Sequence, residues 1–138
     1  DVAWVGTNAA YAQVIADQES AEGYYCFVHM AKIYSDDEMS PTVRAWWDSY
    51  IELYGVEPGL AAMEGYRGAD LIFEALQIAG RELTTDRLVE AMESIGNYRD
   101  IFGYNVSFSA DSHKGVTESV LSQVKNKRWI TLQEAITY

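Results

Sequence analysis

The first thirty residues follow a strand, helix, strand order, which restricts the chain to a small set of folds. Residues 2–5 are apolar and β-branched at both ends, residues 6–8 supply a polar turn and a helix start, and residues 9–16 have helical character. Residues 22–30 are rich in aromatic and β-prone side chains without clean alternation, which is typical of a strand covered on both faces. A β-α-β unit builds a parallel sheet, so this pattern predicts an α/β fold.

Three predicted helices in a row then interrupt the alternation. The first begins at Ser40, whose hydroxyl can cap free N–H groups, continues through Pro41 at the first helical position, and ends at Gly55. The second covers residues 60–79 and is rich in small residues in its first half. The third runs from about residue 84 to residue 94.

The last third of the chain has the composition of strands. Val106 and Phe108 alternate with serines, and a polar turn follows. Residues 116–124 place valines at positions of one parity, and the turn at residues 125–127 separates them from the apolar residues 128–132. This predicts a closing β-hairpin.

The charge balance excludes one large class of function. Ten Lys and Arg residues stand against 21 Asp and Glu residues, a formal net charge of −11 at pH 7. A nucleic-acid binder needs a concentrated basic face, so a nucleic-acid partner is excluded. The 13% aromatic content indicates a globular chain rather than a disordered acidic tail.

Cofactor and metal sites are not indicated. Cys26, His29 and His113 are too few for a Cys-rich zinc site, and no Gly-rich phosphate loop or metal-hydrolase motif is present, so we predict no cofactor and no metal. No apolar run approaches the roughly 20 residues of a membrane-spanning helix. The chain starts at Asp1, without Met or a basic leader, so we expect further sequence before it.

Several short motifs occur in an order and spacing that one protein family shares. They are residues 21–24 (AEGY), 54–58 (YGVEP), 64–69 (EGYRGA), 75–80 (ALQIAG), 106–108 (VSF, followed by His113) and the closing residues 123–129 (QVKNKRW). On these motifs the chain resembles the C-terminal portion of type I periplasmic solute-binding proteins, the branched-chain amino acid and amide receptors of ABC importers.

The resemblance implies an α/β, bilobal, type I periplasmic-binding-protein fold, in which two Rossmann-like lobes joined by a three-stranded hinge hold a ligand. It implies that residues 1–35 are part of the C-terminal lobe, that residues 36–115 belong to the N-terminal lobe, and that residues 116–138 return to the C-terminal lobe. It also implies an extracytoplasmic, non-enzymatic transport protein, periplasmic or extracellular, with a lipid anchor as one option. The partners would be a small polar solute, a membrane permease and the N-terminal portion of the same protein.

Both lobes would be incomplete within this chain. We therefore expect the apolar side chains of Trp4, Val5, Phe27 and Val28 to be exposed when the segment is taken alone. Poor solubility of the isolated segment would follow.

The first candidate ligand-binding segment is Gly6, Thr7 and Asn8. In doubly wound sheets ligands sit beyond the carboxyl ends of strands, and a helix N-terminus offers free N–H groups there. The alternative is that Thr7 or Asn8 is only a helix cap. The family's amino-acid receptors carry an acid in this loop, and its absence here disfavours an α-amino acid and leaves amides, carboxylates and aromatic acids.

The second candidate is Met63 with Glu64, near the start of the long predicted helix. The resemblance implies that this helix start faces the same cleft from the other lobe. Met63 would offer an adaptable apolar wall and Glu64 a partner for a cation or an amide. The competing interpretation is that Glu64 is favourable charge near a helix start.

Other patterns favour structural roles. Cys26 and His29 are three apart on a strand and therefore point to opposite faces, so a buried, inert cysteine is favoured over a thiol–imidazole pair. His113 is assigned to a loop, residues 36–38 to a solvated bend, and the aromatic side chains of the first long helix to the core. Those aromatic residues are Trp46, Trp47, Tyr50 and Tyr54.

Two functional alternatives remain. One is a ligand-sensing domain of a receptor or regulator with the same fold, which the full-length sequence would reveal. The other is a small α/β enzyme that uses Cys26 or the region of Glu64.

Overall fold

The computed structural model describes residues 2–137, and these form two separate sheets and four α-helices. The strands are β1 (Val5–Gly6), β2 (Tyr25–Val28), β3 (Asn97–Arg99), β4 (Asn105–Ser107), β5 (Glu118–Lys125) and β6 (Arg128–Thr137). The α-helices are α1 (Gln13–Ala16), α2 (Pro41–Tyr54), α3 (Leu60–Ala79) and α4 (Thr85–Ile95). Short 3₁₀ helices cover Asn8–Ala10 and Glu19–Ala21. The molecule is thus of the α/β class.

The larger sheet joins the two ends of the chain, with the strand order β1-β2-β5-β6. β1 and β2 are parallel, with Val5 opposite Tyr25, which confirms the predicted β-α-β pairing. β5 and β6 add antiparallel strands, with Cys26 of β2 opposite Ser122 of β5. The sheet is therefore mixed rather than purely parallel.

The core of this sheet contains an aromatic cluster around Trp129. Its ring lies 4.5 Å from that of Tyr11, and its indole N–H donates to the carbonyl oxygen of Ala12 at 3.2 Å. Leu60 and Met63 of α3 belong to the same buried cluster as these side chains. The first turns of α3 are therefore fixed against the sheet.

The three long helices begin and end where the sequence predicts. The hydroxyl of Ser40 accepts from the backbone N–H of Val43, and Gly55 ends α2 in the left-handed region at φ 69°. Thr84 caps α4 by accepting from the N–H of Arg87. Local capping chemistry explains these boundaries.

The prediction of one helix over residues 9–16 is wrong. The segment is divided between a 3₁₀ turn and α1, and Tyr11 separates them with ψ 66°. Tyr11 is buried against Trp129, and its hydroxyl accepts from the backbone N–H of Lys32 at 3.1 Å. Long-range packing of this ring thus overrides the helical pattern.

The second sheet contains a strand, β3, that the sequence pattern does not predict. β3 pairs with β4 in antiparallel fashion, with Tyr98 opposite Val106. Three residues with two polar side chains, Asn97 and Arg99, have no apolar alternation to reveal a strand.

The closing hairpin is confirmed. β5 and β6 are joined through Asn126 and Lys127, which both have positive φ (52° and 62°). This is the backbone of a two-residue hairpin turn whose twist matches that of its strands. The pairing register shifts between Ser119 and Ser122, which marks a bulge.

The aromatic side chains of α2 only partly enter the core. Trp47 is fully buried and Trp46 packs edge-on against Phe102 at 4.9 Å, but Tyr54 is 64% exposed, so its assignment to the core is wrong. Tyr54 instead packs against Tyr50 with the two rings tilted by 44° and their centroids 4.6 Å apart.

Several large apolar side chains are exposed. Trp4 is 69% exposed, Phe27 is 41% exposed and Val5 is also exposed, as expected. The expectation is wrong for Val28, which is buried in the core because it faces the opposite side of the sheet from Phe27. Phe73 on α3 is also 66% exposed. Among residues 2–137, no helix combines the length and apolarity needed to cross a bilayer.

Candidate functional site

The two candidate segments meet through one hydrogen bond. The side-chain amide of Asn8 donates to the carboxylate of Glu64 at 2.8 Å, although the residues are 56 positions apart. Both side chains are half-buried. The loop beyond β1 and the first half of α3 are therefore adjacent.

The loop beyond β1 is held by packing and by β2. A Cβ on Gly6 would come within 2.9 Å of the Cβ of Ala10, so a larger residue does not fit. The thiol of Cys26 donates to the carbonyl oxygen of Thr7 at 3.3 Å, and the backbone N–H of His29 reaches Asn8 Oδ1 at 3.5 Å. These contacts fix the side chain of Asn8 for its bond to Glu64.

The helix that begins at Asn8 is too short to act as the anion-binding terminus that the sequence pattern predicts. It is a three-residue 3₁₀ turn, so its dipole is small. Thr7 occupies the N-cap position, but its side chain makes no capping hydrogen bond. Any ligand contact here therefore comes from side chains and single N–H groups, and the binding roles of Gly6, Thr7 and Asn8 stay predictions.

Met63 and Glu64 lie on different sides of α3. Met63 has no exposed surface and packs in the core with Leu60, while Glu64 faces Asn8. The ligand-binding roles of both residues stay predictions.

A cavity of about 480 Å³ adjoins the Asn8–Glu64 contact. Glu64 and Arg67 of α3 line it together with His29, which follows β2. Leu71, Val106 and Phe108 give it apolar walls. Sequence reasoning missed Arg67, although its position three residues after Glu64 on one helix face was a usable signal.

Arg67 is paired with a buried acid. Its Nη1 lies 3.7 Å from Oδ2 of Asp100, and the two side chains are 12% and 1% exposed. Burial raises the pKa of Asp100, while hydrogen bonds from the backbone of its own turn and the charge of Arg67 oppose that rise.

A second pair of polar side chains joins β3 to α3. The hydroxyl of Tyr98 donates to the carboxylate of Asp70. Burial is the main cause that raises the pKa of Tyr98, and this hydrogen bond is the second.

Cys26 lacks the properties of a nucleophile. Its side chain is buried, and desolvation raises the pKa of the thiol to about 11 against the opposing effect of a backbone hydrogen bond from Gly6. The nucleophilic form of cysteine is the thiolate, which is scarce at neutral pH under these conditions.

The remaining candidates have structural partners. His113 contacts the carboxylate of Glu93 on α4 at 2.7 Å, in keeping with its assignment to a loop. Asp36 and Glu38 are exposed, as expected for a solvated bend, and Arg128 pairs with Asp36 at 2.7 Å and with the half-buried Asp37 at 2.5 Å. The hydrogen bond from Arg128 lowers the pKa of Asp36. These acids anchor the bend to β6.

Structural comparison identifies relatives of the same fold. A branched-chain amino acid ABC transporter protein from Thermus thermophilus with bound valine superposes with a TM-score of 0.78 and 17% identity, over 99% of this chain and 40% of the other. A fatty acid ABC transporter substrate-binding protein from Thermomonospora curvata has a TM-score of 0.78 and 21% identity, over 97% and 36%. A solute-binding protein from R. palustris in complex with benzoate has a TM-score of 0.72 and 19% identity, over 99% and 38%.

These comparisons show what share of its relatives' length the chain covers and to which family it belongs. The chain spans less than half the length of each of those three structures. No curated protein matches the sequence. The family model described as periplasmic binding protein matches residues 2–128, which confirms the resemblance found in the sequence. The chain therefore belongs to the periplasmic binding protein family, a family of solute-binding proteins, and has its type I fold.

Proposed function

We propose that the chain is part of the extracytoplasmic substrate-binding component of an ABC importer, which closes two lobes on a small polar solute. The observation that carries this proposal is the Asn8–Glu64 hydrogen bond beside a cavity of about 480 Å³. It joins the loop at the carboxyl end of β1 to a helix from a distant part of the chain. Ligand pockets of this fold class lie at such strand ends, and their volumes are on the order of 300–1,000 Å³.

The two separate sheets support a division into two lobes, and the packing of Leu60 and Met63 of α3 against the larger sheet would then be part of the closed interface between the lobes. β1, β2, β5 and β6 form one sheet from both ends of the chain, while β3 and β4 form a separate one. We propose that residues 1–35 and 116–138 belong to one lobe and residues 36–115 to the other. The connections near residues 30–35 and 115–117 would then form part of the hinge.

Closure of the two lobes would be driven by contacts that the solute makes in the closed form and not in the open form. A solute that touches both lobes stabilises the closed form more than the open one, and the equilibrium shifts by that difference in binding free energy. A membrane permease would then recognise the closed form. The partners are thus the solute, the permease and the rest of the same protein, on the outer side of the membrane.

The solute class is a small amino acid, amide or carboxylate. One structural relative holds bound valine, a second is in complex with benzoate, and a third is a fatty acid ABC transporter substrate-binding protein, so one fold serves chemically different solutes. The loop at residues 6–8 has no acid to pair an α-ammonium group. Glu64 is the acid at this site that remains for a cation or an amide.

The test uses the complete protein. Thermal-shift and calorimetric titration against amino acids, urea-like amides and aliphatic and aromatic acids should identify a solute that raises the melting temperature. Small-angle scattering should then show a smaller radius of gyration with that solute. If no solute of these classes binds, or binding leaves the radius unchanged, the proposal is wrong.

Uptake experiments separate the importer from a sensor of the same fold. Deletion of the gene should abolish cellular uptake of the identified solute, and a copy with an intact site should restore it. Normal uptake together with a lost transcriptional or signalling response would favour the sensor.

A further inference from the structure

Three buried side-chain atoms among residues 2–137 have no hydrogen-bond partner, and they lie close to the proposed site. They are His29 Nδ1, Arg67 Nη1 and Asp100 Oδ2. Two of these residues, His29 and Arg67, line the same cavity. Buried polar groups are nearly always paired in folded proteins, because an unpaired one loses its water without compensation.

Asp100 does not satisfy the guanidinium of Arg67. The distance of 3.7 Å between Nη1 and Oδ2 allows Coulomb attraction but exceeds that of a hydrogen bond. Oδ1 of Asp100 is already engaged, since it accepts from the backbone N–H of Tyr104 at 2.8 Å. A guanidinium has five N–H donors, so Arg67 retains donors for a second acceptor.

The cavity combines basic and apolar surfaces. Arg67, His29 and Lys114 supply basic groups, in a chain whose net charge is −11. Glu64 is the one acid among the described residues that line it, and its Oε1 accepts from Asn8. The opposite walls are apolar. Such a surface is complementary to a molecule with an anionic end and a hydrocarbon body.

We propose that this cavity binds the carboxylate of a small organic acid, with Arg67 as its main partner and His29 as a second donor. The inference rests on the proposed function and names the solute class of that same site. Arg67 can hold a carboxylate through two parallel N–H···O bonds, and His29 can donate a hydrogen bond from Nδ1. The hydrocarbon part of the acid lies against Leu71, Val106 and Phe108.

The first experiment compares acids with their amides on the complete protein. The probes are three matched pairs: 4-methylpentanoate and 4-methylpentanamide, leucine and leucinamide, benzoate and benzamide. In each pair that binds, calorimetry should show the acid binding about tenfold or more tightly, since the amide lacks the charge that Arg67 pairs. Equal or tighter binding of the amide overturns the carboxylate site while the proposed function stands. If no member of any pair binds, the carboxylate site is overturned, and the wider solute screen decides the proposed function separately.

The second experiment removes the charge of Arg67. Because Arg67→Gln alone leaves Asp100 buried without its counter-ion, the decisive variant is Arg67→Gln with Asp100→Asn, which neutralises both. Its dissociation constant for the acid should rise about ten- to a hundredfold, and that for the amide should not change. Arg87→Gln with Glu82→Gln, which neutralises an exposed ion pair and likewise leaves the net charge unchanged, is the control and should bind like the wild type. If the folded double variant retains wild-type affinity for the acid, Arg67 is only structural and the proposal is overturned.

Discussion

A single hydrogen bond between an amide and a carboxylate joins the two candidate segments of the site. Asn8 is placed by the loop after β1, and Glu64 by a helix whose first turns are fixed in the core through Met63. Each side chain thus has a rigid support on its own element. The contribution of this hydrogen bond to stability is larger when the half-buried carboxylate of Glu64 has no other donor.

Replacement of Asn8 should weaken this contact in graded steps. Asn8→Ala leaves Glu64 half-buried without its donor and should lower the free energy of unfolding by about 1 kcal/mol. Asn8→Asp places a second carboxylate beside Glu64 and should lower it further at neutral pH. Urea unfolding of the complete protein measures both effects. Equal stability of the wild type and Asn8→Asp would show that the contact is not formed in solution.

Cys26 should be unreactive in the folded protein. Its thiol is buried, and its pKa of about 11 leaves almost no thiolate at pH 8. A thiol reagent should therefore label Cys26 only after unfolding in guanidinium. Cys26→Ser should retain solute binding. Rapid labelling of the folded protein, or loss of a substrate turnover in Cys26→Ser, would favour the enzyme alternative.

At the scale of elements, the hairpin turn offers a direct test of backbone strain. Lys127 has a φ of 62°, a region in which glycine has no steric cost. Lys127→Gly should raise the free energy of unfolding by about 0.5–1 kcal/mol, and it keeps the backbone carbonyl that accepts from Gln13. The matched control is Lys125→Gly, which places glycine in β5 and should lower stability. If both variants are destabilised alike, the turn in solution differs from the one described.

An element is predictable from the sequence when the residues that determine its ends lie next to it in the chain. The ends of α2 and α4 follow from caps next to them, Ser40, Gly55 and Thr84, so local chemistry is sufficient. The break at Tyr11 and the pairing of β3 with β4 depend on contacts with distant parts of the chain. The proposed role of Arg67 is of the second kind, because only the fold brings Asp100 and His29 near it.

At the scale of the whole molecule, exposed apolar surface should decide how this segment behaves alone. Trp4, Phe27 and Phe73 are between 41% and 69% exposed. Trp4 directly precedes β1 and Phe27 lies in β2, both in the region of the larger sheet, whereas Phe73 lies on α3. Exposed apolar patches drive association unless another surface covers them. Residues 1–138 expressed alone should therefore elute from size exclusion as oligomers or aggregates, whereas the complete protein should elute as a defined species.

Polar replacement of these side chains distinguishes association through exposed apolar surface from aggregation that follows general instability. Trp4→Gln with Phe73→Gln should shift the isolated segment toward the monomer, because it removes surface that is exposed in the segment. The matched control is Trp47→Gln, which places an amide in a fully buried position and should increase aggregation. In the complete protein Trp4→Gln should instead lower stability if the rest of the chain covers this residue. A monomeric, cooperatively melting wild-type segment would contradict the argument, since these side chains would then need no cover.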